Sequence, residues 1–288
     1  MKPSRFRRLK KSLKRAIETW YLLLKLTWSN HRETASVVDP TSKVVVSLTS
    51  HGVRINSVHL CIESIGTGEH KPARLLLHIS REYKGRRLSA ALKRLSDRGL
   101  EVVFCDDVGP HTKYWPYVLS QERHNLPLVT ADDDKMYGKG WLKALSNAWL
   151  LNPRDINCFR AREIKLAGKS MLPYGQWPLC SNTAPNPRHF ATGVGGIVYP
   201  PHFLECLKKA GDRFLEVTPY ADDVWLHAVA IRNGYQIRQL ESDAVEPPEV
   251  PLSRYSALHK SNLRAGRNDD YIRATYTSAD LTLLEASP

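Results

Sequence analysis

"PLVTADDDKMY", residues 127–137, is the stretch on which the reading of this chain turns. An apolar, β-branched run, Leu128-Val129-Thr130-Ala131, leads straight into three consecutive carboxylates, Asp132, Asp133 and Asp134. Such a run has the composition of a buried strand. Negative charge at the end of a buried strand is costly unless a positive partner meets it. No cation stands among the three acids before Lys135. The pattern therefore predicts that something positive is bound there.

Outward from this stretch, strands and helices alternate. "KVVVSLTS" (43–50), "ARLLLHIS" (73–80), "LEVVFCDD" (100–107) and "LPLVTADDD" (126–134) read as strands. Residues 53–65, 86–99 and 138–153 carry the spacing of amphipathic helices, the second stopped by Gly99. Continuous apolar strands alternating with helices indicate an α/β fold, a largely parallel sheet covered by helices on both faces. From about residue 155 the alternation weakens. Residues 170–192 read as a long loop rich in proline and polar residues. "TGVGGIVYPP" (192–201) reads as a glycine turn into a strand, and "PYADDVWLHAVAIRNGYQI" (219–237) as an acid pair opening a helix. Residues beyond 246 read as a loosely packed terminal segment.

In such sheets ligands bind at the carboxyl ends of the strands. That rule places Thr49, Ser50, Arg54, Asp106, Asp107 and Asp132–Asp134 on one rim. Neither GxGxxG nor GxxxxGK[ST] follows the first strand, which argues against a dinucleotide dehydrogenase and a P-loop NTPase. A diphosphate can still be held where a divalent cation bridges it to carboxylates, and hard oxygen ligands suit Mn²⁺ or Mg²⁺.

The charge is unevenly spread. Of a formal +13 over 288 residues, +9 lies in residues 1–32, which hold ten Lys/Arg and one acid, Glu18. Residues 4–28 can be drawn as a helix with Phe6, Leu9, Leu13, Ile17, Trp20 and Leu24 on one stripe, and Trp20, Tyr21 and Trp28 suit a membrane–water interface. The expectation is a basic amphipathic segment, 1–38, lying on an anionic membrane surface, ahead of an enzymatic domain, 39–288. A disordered basic arm, or a helix packed on its own domain, is the simpler alternative. Nucleic acid is not expected, because no partner motif accompanies the basic patch. Cys61, Cys105, Cys158, Cys180 and Cys206 are scattered singly, which fits buried thiols in a reducing compartment and neither a disulfide framework nor a zinc site. No apolar run approaches the ~20 residues of a membrane span, and no small-residue cleavage site follows the basic start. The expected location is cytoplasmic, peripheral on the inner face of the cell membrane.

Four motifs in this order resemble the GT-A glycosyltransferases, particularly the bacterial family-2-like enzymes, over residues 43–240. They are "VVVSLTS", "VTADDDKMYGKGWL" as the DxD strand end, "TGVGGIVYP" as the acceptor-side glycine turn, and "YADDVWLHAVAIRNG" as the catalytic helix. The resemblance implies a nucleotide-diphosphate sugar donor, a divalent cation, and a saccharide or lipid-linked acceptor of cell-surface polysaccharide biosynthesis. It implies single displacement with inversion at the anomeric carbon. By the same likeness Thr49, Ser50 and Arg54 line the base and ribose pocket, and Lys113 lies near the diphosphate. Asp132 and Asp133 face the donor, and Asp134, with Asp132 and His259, holds the metal. Asp132 and Asp134 would share a direction, since strand residues two apart do so. Asp223 is the expected general base, with Asp222 alternative or supporting; Asn268 or Asp269 is a further candidate contact. Two other readings stand beside this one. The first is a nucleotidyltransferase of similar fold, for which "SLTSHGVR" is a poor version of the required basic loop. The second is a catalytically silent scaffold at a membrane surface.

Overall fold

The computed structural model describes residues 5–251 and 266–286, with side chains in the first helix described at 13 and from 16 onward. A 28-residue helix, α1 (Arg5–Arg32), precedes the sheet. Then β1 (Val45–Thr49), α2 (Val58–Gly66), β2 (Arg74–Ser80), α3 (Ala90–Asp97), β3 (Leu100–Cys105), α4 (Trp115–Ser120), β4 (Leu128–Thr130) and α5 (Trp141–Leu151) follow in the expected alternation. β1 lies parallel between β2 and β4, and β3 continues the sheet outside β2. The sequence announces no element over residues 109–120, which form a 3-10 turn (Gly109–Lys113) and α4.

The second half is broken into short pieces. β5 (Ile156–Cys158), β6 (Ala161–Glu163), the hairpin strands β7 (Leu166–Ala167) and β8 (Ser170–Met171), β9 (His189–Ala191) and β10 (Ile197–Tyr199) precede α6 (Pro201–Ala210), α7 (Phe214–Val217), α8 (Asp222–Arg232) and β11 (Ile237–Gln239). The main sheet has seven strands in the order β11-β5-β10-β4-β1-β2-β3. All its pairings are parallel except those of β10, which runs antiparallel to both β4 and β5. This is the mostly parallel, Rossmann-like mixed α/β sheet that the sequence predicts.

Side-chain alternation on the strands builds two cores. Val46 and Leu48 of β1 face one side with Val58 and Ile62 of α2, Leu92 of α3 and Leu142 of α5. Val45 faces the other, with Tyr117 of α4, Phe203 of α6 and Trp225 of α8. Helices therefore cover both faces, and the strand ends open between them.

Two elements differ from the sequence reading. The predicted helix over 53–65 opens as a 3-10 turn, Gly52–Asn56, before α2 begins. Within the segment read as a loosely packed tail, two helices, α9 (Arg267–Thr275) and α10 (Ser278–Glu285), are seated on the body. Ile272 and Leu284 are buried against Val224 and Ile231 of α8, and Arg232 makes a two-pronged contact with Asp280 at 2.9 and 2.8 Å.

Candidate active site

A cavity of about 600 Å³ opens at the carboxyl ends of β1 and β4 and reaches the start of α8. It takes in Thr49, Ser50, Arg54, Lys113, Asp132, Asp133, Asp134, Asp222 and Asp223, residues drawn from distant parts of the chain. His259 lies outside the described residues.

The strand ends earlier than its sequence suggests. β4 stops at Thr130, and Asp132–Asp134 occupy the turn beyond it. The two-residue alternation expected of Asp132 and Asp134 does not apply in a turn, and the three acids take separate partners. Asp132 Oδ1 is 2.9 Å from Lys113 Nζ. Asp133 accepts a 2.6 Å bond from the Ser50 hydroxyl and lies 3.0 Å from an Arg54 guanidinium nitrogen. Asp134 is the least committed, with Arg54 3.5 Å away. Two cations of the chain itself, Arg54 and Lys113, thus supply positive charge that the sequence reading assigned to a bound partner. Lys135, the nearest cation in sequence, is buried and turned to Glu246 and Glu249 at 3.1 and 3.3 Å.

Lys113 joins the two acid clusters. It ends the 3-10 turn after β3, and its carbonyl accepts a 2.7 Å bond from Ser47 of β1, which fixes the turn to the sheet. Its ammonium lies 2.9 Å from Asp132 and 3.1 Å from Asp222 Oδ2. The second contact is an ion pair without hydrogen-bond geometry, and Asp222 Oδ2 has no hydrogen-bond partner among the described residues. Burial works against the Lys113 charge, but Asp132, Asp222 and Asp223 outweigh it and hold its pKa well above the ordinary lysine value.

Asp223 sits in a different environment. The Gly193 N–H donates to both its carboxylate oxygens at 3.2 and 3.3 Å. A side chain at Gly193 would meet Lys113 Nζ at 3.2 Å and Asp132 Oδ1 at 3.4 Å, and those two side-chain ends would have to give way by a few tenths of an ångström. Gly196, three residues on, has φ of +91° and packs on the Trp141 indole, where an added Cβ would lie at 2.6 Å. The close approach at Gly196 therefore fixes the glycine turn.

The carboxylates divide by proton affinity. Burial, then the Asp222 charge, pushes Asp223 well above the usual carboxylate range. Burial, then Asp132 and Asp133, pushes Asp134 up to about 6. Asp133 is raised by burial in spite of Arg54 and Ser50. Asp132 is lowered, because Lys113 outweighs the cost of its burial.

No protein-family model and no curated protein matches the sequence. Solved structures do match. One is a CMP:2-keto-3-deoxy-manno-octonic acid synthetase complexed with CTP, at 11% identity over 79% of this chain and 100% of that one, TM-score 0.45. Another is the 4-diphosphocytidyl-2C-methyl-D-erythritol synthase from Anaerococcus prevotii DSM 20548, at 9% identity over 79% and 98%, TM-score 0.48. A third is the inositol-1-phosphate CTP transferase from T. maritima, at 13% over 78% and 95%, TM-score 0.42. These are likenesses of chain arrangement only.

Several cavity residues escaped sequence reading. Arg160, whose guanidinium donates to Thr192 Oγ1 at 2.7 Å, comes from the irregular stretch after β5. Tyr174 and Phe190 come from the segment read as a loop, and Glu246 and Glu249 from the proline-rich stretch beyond β11. None carries a local pattern, since each reaches the cavity only through tertiary packing. Of the C-terminal candidates, Asn268 lines the cavity, whereas Asp269 accepts a 2.7 Å bond from the Tyr174 N–H. His111, buried between Tyr114 and the Thr218 carbonyl, is a packing residue.

Proposed function

We propose that the chain is a glycosyltransferase: it binds a nucleotide-diphosphate sugar along the β1–β4 rim and passes the sugar to an acceptor hydroxyl. The observation that carries this reading is the pairing of two unlike acid sites in one cavity, bridged by Lys113. The Asp132–Asp134 side meets a donor diphosphate. The Asp222–Asp223 side meets the acceptor. A carboxylate of ordinary pKa is a weak base toward a hydroxyl; burial and Asp222 raise the basicity of Asp223, as general-base work requires. In the transfer, the acceptor oxygen bonds to the anomeric carbon as the bond from that carbon to the diphosphate oxygen breaks. The acceptor proton goes to Asp223, and the nucleoside diphosphate leaves with the electron pair.

The donor set suits a hard divalent cation. No three His, Cys, Asp or Glu side chains among the described residues converge as a complete metal site. A cation of the Mg²⁺ or Mn²⁺ kind needs only one or two carboxylates when phosphate and water oxygens fill the rest. Asp134, open to the cavity and bound only loosely to Arg54, would hold it with Asp132, and the ion would offset charge on the leaving diphosphate. Lys113 keeps its proton and stabilises the same charge directly.

Nucleotidyl transfer is the second reading. One observation favours it: the turn after β1 carries Gly52 at φ +57° and sends Arg54 to the acid cluster, a partial version of the basic loop that reaction uses. Product analysis separates the two. With a panel of nucleotide sugars and Mn²⁺, glycosyl transfer releases nucleoside diphosphate, or hydrolyses the donor slowly without an acceptor. With nucleoside triphosphates and sugar phosphates, nucleotidyl transfer releases pyrophosphate. Pyrophosphate alone would replace the proposed reaction by the second, and neither product from any donor would leave the silent scaffold.

A further inference from the structure

Helix α1 has two apolar faces, and among the described residues only one is covered. Leu22, Leu23 and Leu26 turn inward onto Leu60, Met136 and Val250. The C-terminal end is pinned by buried polar contacts: Asn30 Nδ2 donates to Glu63 at 3.2 Å, Arg94 donates to Asn30 Oδ1, and Glu63 is paired with Arg98 at 2.9 Å. Leu13, Ile17, Trp20, Tyr21, Leu24 and Trp28 are instead 58–67% exposed. At 100° per residue these six fall within an arc of about 100°, opposite the covered face. Solvent-facing patches of this size and continuity mark an interaction surface.

We infer that this outer face of α1 docks on an anionic lipid bilayer. Charge selects the occupant. Residues 1–32 hold ten Lys/Arg against one acid, so a second copy of the chain would bring like charge to like charge, while an anionic leaflet attracts each cation. The side chains agree, since Trp and Tyr settle at the headgroup level while Leu and Ile enter the acyl boundary. No helix among the described residues is long and apolar enough to cross a membrane, so the helix lies along the surface. Nucleic acid is a poor fit, because the exposed stripe is apolar where phosphates need cations.

The covered face adds a consequence. Met136 stands two residues from Asp134, and the Val250 N–H donates to the Asp134 carbonyl at 2.7 Å. The docked helix is thus packed against the segments that form the cavity rim. Membrane binding would hold the cavity at the lipid surface as one body, which suits an acceptor carried on a lipid. That last point rests on the proposed transferase reading; lipid docking does not.

The test is co-sedimentation of the full chain with vesicles of phosphatidylcholine alone or with phosphatidylserine. The wild-type chain should bind the serine-containing vesicles, and binding should weaken with salt as exposed charges are screened. Trp20→Ser with Leu24→Ser removes two exposed side chains and should lower vesicle affinity by at least about tenfold, with an unchanged circular-dichroism spectrum and melting temperature. Equal vesicle binding by the double variant would overturn the assignment. So would failure of the wild type to bind, or a wild-type dimer in sedimentation that the double variant dissolves, since a second copy would then cover the face. Because vesicle binding needs no substrate, its failure is distinguishable from failure of the transferase reading.

Discussion

The two halves of the sheet meet at the cavity and treat their carboxylates in opposite ways. On the β1–β4 side the acids are met by side-chain charge, Asp132 by Lys113 and Asp133 by Arg54 and Ser50. On the β10–α8 side Asp223 has the Gly193 backbone N–H, with Asp222 as a like-charged neighbour. The first half lowers the proton affinity of Asp132, the acid paired with Lys113, while burial raises that of Asp133 and Asp134. The second half raises the basicity of one acid. Lys113 is the piece they share. The contrast shows how a single ammonium ties two differently partnered acid clusters into one cavity.

The largest expected effect tests the basic side. Asp223→Asn keeps the shape and the capacity to accept from Gly193 but cannot take a proton. Sugar transfer should fall by about 10²–10⁴, with donor binding and melting temperature nearly unchanged. Full transfer by Asp223→Asn, with loss in Asp222→Asn, would move the base to its neighbour.

The shared piece comes next. Lys113→Met leaves Asp132, Asp222 and Asp223 without their common cation and should cost about 3–5 kcal/mol of stability near neutral pH, read by denaturant unfolding. The pH dependence fixes the cause. Without Lys113 the folded-state carboxylates hold protons more tightly than in the unfolded chain. The folded state then binds more protons, and the deficit should shrink as pH falls. A deficit that stays constant with pH would mean lost packing and no electrostatic link.

A smaller effect sharpens the cation-seeking side. Asp134 titrates at about 6, raised by burial and then by Asp132 and Asp133. Its proton competes with any cation, so cation-dependent donor binding should be level above that value and weaken about tenfold per pH unit below it. Asp134→Asn should remove the inflection. A binding curve of the wild type with no inflection in this range would dissociate Asp134 from the cation.

How much of this was legible in the sequence follows from the same contrast. β1–β4 are apolar runs, the first three separated by helical periods, so their succession and their rim position could be read locally. The acids at 132–134 and 222–223 stood out for the same reason. Lys113 was noticed by likeness, but its role as a bridge depends on a 3-10 turn that no periodicity announced. β5, β6 and β9 are three residues each, too short for a period to register, whereas β10, equally short, was read from the glycine turn that precedes it. Glu246 and Glu249, and the seating of α9 and α10 on α8, depend on long-range contacts that leave no local trace. Only one apolar stripe of α1 was read; Leu22, Leu23 and Leu26, which hold the helix to the body, lie on the opposite side.

The most direct test of the account is calorimetric titration of a nucleoside diphosphate into the wild-type chain, Asp134→Asn and Asp223→Asn, each with Mn²⁺ and with EDTA. The account predicts that the wild type and Asp223→Asn bind well with Mn²⁺ and much more weakly in chelator, while Asp134→Asn binds equally weakly in both. Equal affinity of the wild type in Mn²⁺ and EDTA, or an intact Mn²⁺ effect in Asp134→Asn, would contradict it.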